Sequence, residues 1–196
     1  MSNRQRQRSG YTLVELLIIV ALMAVLATLV IPSFESSLYD QLNAAANIVS
    51  ADLSYARSLA VSNNSYYQIT FDNDENRYIL RHSGADSSLN TLPENPFRPQ
   101  DDLSSEHTTD LDEIPQIGAA VRLAAVYRDP NSPQTATRLE FGPYGETSRA
   151  EETVIWLAAG AESIERFISL TVDPVTGIVS IGEMTDVAPP TLEDAE

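Results

Sequence analysis

The chain has 196 residues, with 12 basic residues, 28 acidic residues and no cysteine. This length allows about one domain of ordinary size, and the lack of cysteine excludes a disulfide-stapled miniprotein, thiol catalysis and a thiolate metal site. The formal net charge of -16 at pH 7 argues against a nucleic-acid backbone or an anionic lipid surface as the partner of the body of the protein.

The N-terminal segment combines a basic leader with a long apolar run. Residues 1–10 carry three arginines and no acid, whereas the other 186 residues hold 9 arginines against 28 acids. Leu16 to Ile31 contains one polar residue, and the 21 residues from Tyr11 onward, at about 1.5 Å each in a helix, match a hydrocarbon core of about 30 Å. We expect residues 11–31 to form a single membrane span with the arginines in the cytoplasm.

Glu15 is the charged residue inside this segment. A lone carboxylate in lipid costs a few kcal/mol unless it finds a positive partner or stays near the interface. Three interpretations remain open. The segment is a plain signal anchor with Glu15 at the membrane surface, a secretory signal cleaved near Ala27, or a segment in which Glu15 has a function of its own.

The third interpretation rests on a resemblance. The arginine-rich leader, residues 10–15 (GYTLVE) and the apolar helix resemble the class III leader of type IV pilins and type II secretion pseudopilins. The resemblance implies that a prepilin peptidase cuts after Gly10 and methylates Tyr11, a position where family members most often have Phe. It also implies that Glu15 meets the N-terminal amine of a neighbouring subunit during assembly, and that the surrounding helix surface packs in the filament, with Leu13, Val14 and Leu16 next to Glu15. An ion pair between subunits would offset the cost of burying that carboxylate.

Residues 32–64 are predicted to continue the helix in amphipathic form. Pro32 removes one backbone hydrogen bond and predicts a kink. The polar turn formers 63–65 (NNS) are expected to end the helix. Apolar residues recur at steps of three and four and predict one face that packs against a sheet: Leu38, Leu42, Ala45, Val49, Leu53, Ala56 and Ala60.

Residues 65–182 change to the patterns of strands and turns and predict a β-rich globular domain. Tyr66–Phe71 and Arg77–His82 flank an acidic turn and predict a hairpin. Asp72, Asp74 and Asn76 fit three positions of a calcium loop. The required glycine is replaced by Arg77 and no glutamate closes the loop, so a solvated turn is favoured.

The rest of the domain is predicted from composition and turns. Residues 83–118 are rich in proline, acid and serine and predict a surface insertion. Residues 183–196 predict a mobile acidic tail. A long helix followed by antiparallel strands is an α+β arrangement. The further strands are predicted at Val121–Tyr127, Thr137–Phe141, Thr153–Ala158, Phe167–Val172 and Ile178–Ile181.

The C-terminal half carries a second resemblance. Residues 138–146 (RLEFGPYGE) and 167–182 (FISLTVDPVTGIVSIG) are similar to the closing sheet of the H-type minor pseudopilins, the GspH/FimT group. The resemblance implies the pilin-like fold, a long helix packed on an antiparallel sheet. Members of this group proposed to bind DNA use basic surface residues, which are few here, and we therefore expect no nucleic-acid partner.

The sequence offers few residues for catalysis. It contains no GxSxG, HExxH or phosphate-cradling glycine loop. His82 ends a predicted strand, and His107 lies between Glu106 and Asp110 in the acidic insertion, where a solvated histidine is favoured over a metal ligand. We therefore expect no enzyme activity, no cofactor and no metal.

The two resemblances imply a minor pilin-like structural subunit of a type II secretion pseudopilus that supports protein export from a periplasmic filament or its tip. The implied partners are other pilins or pseudopilins, prepilin peptidase and an inner-membrane assembly platform. The implied location is the bacterial inner membrane, spanned once, with the C-terminal domain in the periplasm. A type IV pilus or competence minor pilin, and a membrane-anchored extracytoplasmic binding protein or enzyme, remain as alternatives.

Overall fold

The computed structural model describes residues 12–30, 38–93, 104–115, 117, 121–160 and 164–190. The chain divides into two compact units, Met1–Ser36 and Ser37–Glu196. The first unit contains helix α1, Leu13–Val30. The second contains helix α2, Leu38–Ser62, and the strands β1 Tyr67–Asp72, β2 Arg77–His82, β3 Glu106–Asp110, β4 Val121–Arg128, β5 Gln134–Thr135, β6 Arg138–Phe141, β7 Thr153–Ala159, β8 Arg166–Val172 and β9 Val179–Ile181.

The strands form two sheets rather than the single sheet expected. One has the order β3-β2-β1-β6 and the other β5-β4-β7-β8-β9, and the neighbouring strands are antiparallel. The chain passes directly from one sheet to the other between β5 and β6. The Ala136 N–H donates to the Val126 carbonyl, and the next carbonyl, that of Thr137, accepts from the Phe71 N–H. The α+β fold class is confirmed.

Helix α2 supplies the centre of the core. Of the seven apolar residues predicted to share its packing face, six are buried and Leu38 packs against the core at its edge. Ala46 and Leu59 are buried as well, which widens the buried stripe beyond the predicted one. The widening follows from the architecture, because α2 contacts strands of both sheets and so needs a broader apolar face.

The C-terminus of α2 is set by Asn64, as its turn-forming sequence predicts. Asn64 has a φ of 48°, and its N–H donates to the Val61 carbonyl over 3.3 Å. The Ser65 N–H donates to the Ala60 carbonyl over 3.0 Å. This pair of bonds around a left-handed residue is a Schellman motif. The predicted kink at Pro32 and the stretch before Leu38 lie outside the described residues.

The expectation of a surface insertion over residues 83–118 is wrong in part. Strand β3 pairs with β2, with Leu80 opposite His107. Three apolar residues of the stretch are also buried in the core: Leu92, Leu111 and Ile117. The sequence concealed this strand because its buried face is made of His107 and Thr109, polar residues that do not give the apolar alternation of an ordinary strand.

The C-terminal segment also differs from the expectation of a mobile tail. Thr185 and Phe167 exchange backbone hydrogen bonds of 2.8 and 2.9 Å, and the Tyr127 hydroxyl donates to the Pro190 carbonyl. Residues 183–190 are therefore attached to the second sheet, and residues 191–196 lie outside the described part of the chain. The other predicted strands are confirmed with ends that shift by one residue, and the short β5 was not expected.

Candidate processing and assembly segment

Helix α1 begins immediately after the predicted cleavage point. Gly10 and Tyr11 themselves lie outside the described residues. Thr12 is the N-cap, because its Oγ1 accepts from the Glu15 N–H over 3.2 Å and its carbonyl accepts from the Leu16 N–H over 3.2 Å. Sequence reasoning missed this role of Thr12. The signal was present, since Thr followed three residues later by Glu is the spacing of a capping box.

Glu15 therefore has a local role that is independent of any partner. It is exposed in the first turn of α1, where the unpaired N–H groups and the helix dipole favour a negative charge. No ion pair to Glu15 is found within the described residues. The carboxylate is thus held near the helix N-terminus and is available to a positive group from outside this segment.

The apolar side chains of α1 are exposed on every side of the helix. Leu13 is 79% exposed, Val14 65% and Leu16 56%, and the same holds for the following apolar residues through Met23. Burying one such side chain contributes about 1.5 to 3 kcal/mol. A helix that is apolar all round requires a lipid or protein environment. Within the described residues, no helix is both long enough and apolar enough to cross a membrane.

His82 ends β2, as predicted, whereas His107 is buried and not solvated as expected. His107 is 6% exposed, on β3, with its ring stacked on Tyr55 at a centroid distance of 6.3 Å. His82 Nε2 lies 2.7 Å from Ser65 Oγ, and its Nδ1 lies 2.8 Å from Asn90 Oδ1. Because the Asn90 oxygen only accepts, Nδ1 donates to it, and in the neutral ring Nε2 then accepts from the serine hydroxyl. These contacts tie the end of β2 to the turn after α2.

The acidic turn between β1 and β2 is stabilised by the side chain of Asn76. Its Nδ2 donates to Asp112 Oδ1 over 2.7 Å and to the Val121 carbonyl over 2.9 Å, and its Oδ1 accepts from the Leu123 N–H over 2.7 Å. The Asn76 amide therefore makes its hydrogen bonds to other parts of the fold. Among the described residues no group of three or more potential metal-binding side chains is found.

One comparison with known protein families concerns the N-terminal segment. Residues 5–31 match the family model described as "Prokaryotic N-terminal methylation motif". This match confirms the resemblance of the leader and apolar run to those of pilins and pseudopilins. It covers the segment that contains Gly10, Tyr11 and Glu15. No match was found among curated protein sequences.

Three solved structures of pilin-type proteins are similar to the chain. The type IV minor pilin FimU of Pseudomonas aeruginosa is 19% identical with a TM-score of 0.48, and the alignment covers 79% of this chain and 96% of FimU. A second crystal form of FimU gives 19% identity, a TM-score of 0.45 and coverages of 77% and 99%. The minor pseudopilin EpsH from the Type 2 Secretion System of Vibrio cholerae gives 12% identity, a TM-score of 0.47 and coverages of 78% and 100%.

Proposed function

We propose that the chain is a minor pilin-like structural subunit of a type II secretion pseudopilus. The observation that carries the proposal is the match of residues 5–31 to the N-terminal methylation motif, a segment that includes α1 with its exposed apolar surface. The resemblance of residues 138–146 and 167–182 to H-type minor pseudopilins supports the secretion system as the setting. The protein would act by assembling with other pilins or pseudopilins and not by catalysis.

Processing is the first step of the proposed function. Prepilin peptidase would cut between Gly10 and Tyr11, remove the three leader arginines and methylate the new amine of Tyr11. The cut leaves Thr12 as the second residue of the mature chain. The N-cap that starts α1 is therefore retained, and the new amine belongs to the residue four positions before Glu15 in sequence.

Assembly is the second step, and Glu15 is proposed to direct it. The mature N-terminal amine of one subunit would pair with Glu15 of its neighbour, while Leu13, Val14 and Leu16 pack between helices. In a medium of low dielectric this pair removes the cost of two isolated charges, and the assembled register is favoured over others. Before assembly, residues 11–31 would anchor the subunit once in the inner membrane, with the globular domain in the periplasm.

The mass of the intact protein tests processing directly. Full-length protein is expressed with and without an active prepilin peptidase, extracted from membranes and measured by mass spectrometry. We expect loss of residues 1–10 and gain of one methyl group, only with the active peptidase. An unprocessed chain, or one cut near Ala27, would contradict the proposal and favour a membrane-anchored binding protein.

Substitutions at Glu15 and Thr12 separate the charge of Glu15 from the start of helix α1. Glu15→Gln keeps a side chain of the same shape that still accepts hydrogen bonds, but it removes the charge. Glu15→Ala removes both, and Thr12→Ala removes the N-cap alone, at a cost of about 1 kcal/mol to the helix. We expect both Glu15 variants to insert into the membrane and to be lost from filaments, with Thr12→Ala still incorporated.

Incorporation is measured by recovery of each variant with sheared filaments, relative to its level in membranes. Normal recovery of Glu15→Gln would contradict the proposed ion pair between subunits. Loss of Glu15→Ala and Thr12→Ala, with Glu15→Gln retained, would assign the effect to the start of α1 and not to the charge of Glu15. Deletion of the gene distinguishes the setting, because a secretion subunit affects protein export, whereas a pilus or competence subunit affects surface pili or DNA uptake.

A further inference from the structure

Three arginines of this acidic protein lie near one another where the chain passes from the second sheet to the first. Arg128 is the last residue of β4, and Arg138 is the first residue of β6. Arg149 lies in the loop before β7. Burial lowers the pKa of Arg149, and the positive charges of Arg128 and Arg138 lower it further, against the opposite effect of Glu151. In a chain with 28 acids and 12 bases, such a cluster of like charges requires an explanation.

The backbone holds the three arginines near this passage between the sheets. The Ser148 N–H donates to the Glu140 carbonyl over 3.0 Å, which places the Arg149 segment beside β6. Thr147 Oγ1 accepts from the Arg149 N–H over 3.4 Å and donates to the Arg149 carbonyl over 3.2 Å. On β4, Arg128 is directly opposite Thr153, the first residue of β7. The cluster is therefore set by strand ends and a bonded loop.

Two donors in this cluster have no acceptor. Arg149 Nη1 and the hydroxyl of Thr153 are buried without a hydrogen-bond partner, and Thr153 as a whole is 1% exposed. Arg128 donates to the neutral side chain of Gln134. In the described part of the chain, the ion pairs belong to other arginines: Arg77 with Asp72, Arg81 with Glu106, and Arg122 with Glu165. Buried polar groups of native proteins normally have partners, so a group that accepts hydrogen bonds would satisfy both donors.

We propose that Arg128, Arg138, Arg149 and Thr153 form an oxyanion-binding site, whose ligand is a carboxylate or phosphate group. The guanidinium group presents a planar set of N–H donors that matches two oxygens of such a ligand, and charge-assisted bonds of this kind are the strong ones. The Thr153 hydroxyl would supply a neutral donor. Two sources are open to test, a free inorganic anion and a carboxylate side chain of a neighbouring protein.

The test is calorimetric titration of the full-length protein in a neutral detergent at low ionic strength, since salt weakens exposed charge interactions. The probes are inorganic phosphate and a hexaglutamate peptide. Arg149→Gln removes the central charge, and Arg138→Gln is a second variant at an exposed position that leaves the buried part intact. Arg122→Gln is the matched control, because it removes an arginine of the same sheet that already has an acidic partner.

We expect at least one probe to bind the wild-type protein and the Arg122 variant equally. Both cluster variants should bind that probe about tenfold or more weakly, because each removes a charged donor. Binding of phosphate with no stronger binding of the peptide identifies a site for a free anion. Stronger binding of the peptide identifies a site for a protein carboxylate. The proposal is overturned if neither probe binds, or if the probe binds equally to the wild type and to Arg149→Gln.

Discussion

Asn76 is the residue where a single change should have the largest effect outside the core. Its φ is 47°, and its side-chain amide makes hydrogen bonds to Asp112, Val121 and Leu123. Those to the Val121 carbonyl and the Leu123 N–H satisfy the edge of β4 as a neighbouring strand would. The hairpin of the first sheet is thereby joined to the second sheet by one side chain.

The expected magnitude follows from these contacts. Asn76→Gly keeps the left-handed backbone accessible and removes the hydrogen bonds of the side chain. Each of the three hydrogen bonds contributes a net of about 0.5 to 1.5 kcal/mol to stability. Without the Asn76 side chain, the Val121 carbonyl and the Leu123 N–H lose their partners at buried residues. We therefore expect the free energy of unfolding to fall by about 2 to 4 kcal/mol.

The assay is equilibrium urea unfolding followed by the fluorescence of Trp156, the single tryptophan, on β7. Asn64→Gly is a matched control. Asn64 has nearly the same φ, 48°, and no side-chain hydrogen bond is found for it among the described residues. The control should change the free energy of unfolding by less than about 1 kcal/mol. Equal effects of the two substitutions would refute the assignment of stability to the Asn76 amide.

Two further predictions concern α2 and the last turn. Leu53→Ala should lower the free energy of unfolding by about 2 to 5 kcal/mol, because Leu53 is 1% exposed. Tyr39 on the same helix is 60% exposed, so Tyr39→Ala should change the free energy of unfolding little. Similar urea midpoints for the two variants would contradict this prediction. Hydrogen bonds from Thr176 lower the pKa of Asp173 below its ordinary value of 3.8, so this contribution to stability is complete above that value and is lost as the pH falls through the lowered pKa. Asp173→Asn should therefore reduce the loss of stability in acid relative to neutral pH, measured by urea unfolding across that range, and an unchanged acid dependence would count against it.

The sequence predicts the helices and most strands because their signals are local. The apolar period of α2 and the turn formers after it depend on residues a few positions apart, and the structure confirms both. Strand β3 was missed because its buried residues are polar and are satisfied from a distant part of the chain. Thr109 Oγ1 donates to Asp52 Oδ2 over 3.0 Å, and His107 stacks on Tyr55, both partners lying on α2.

The same distinction separates the two candidate sites. The proposed cleavage and methylation, and the observed capping of α1 by Thr12, all depend on residues close together in sequence, so their pattern is readable before folding. The arginine cluster is assembled from a strand end, a strand start and a loop spread over more than twenty positions. No short pattern marks it, and the overall negative charge conceals it. Net charge describes the average surface of this protein, and it does not reveal that arginines from three separate segments lie near one another.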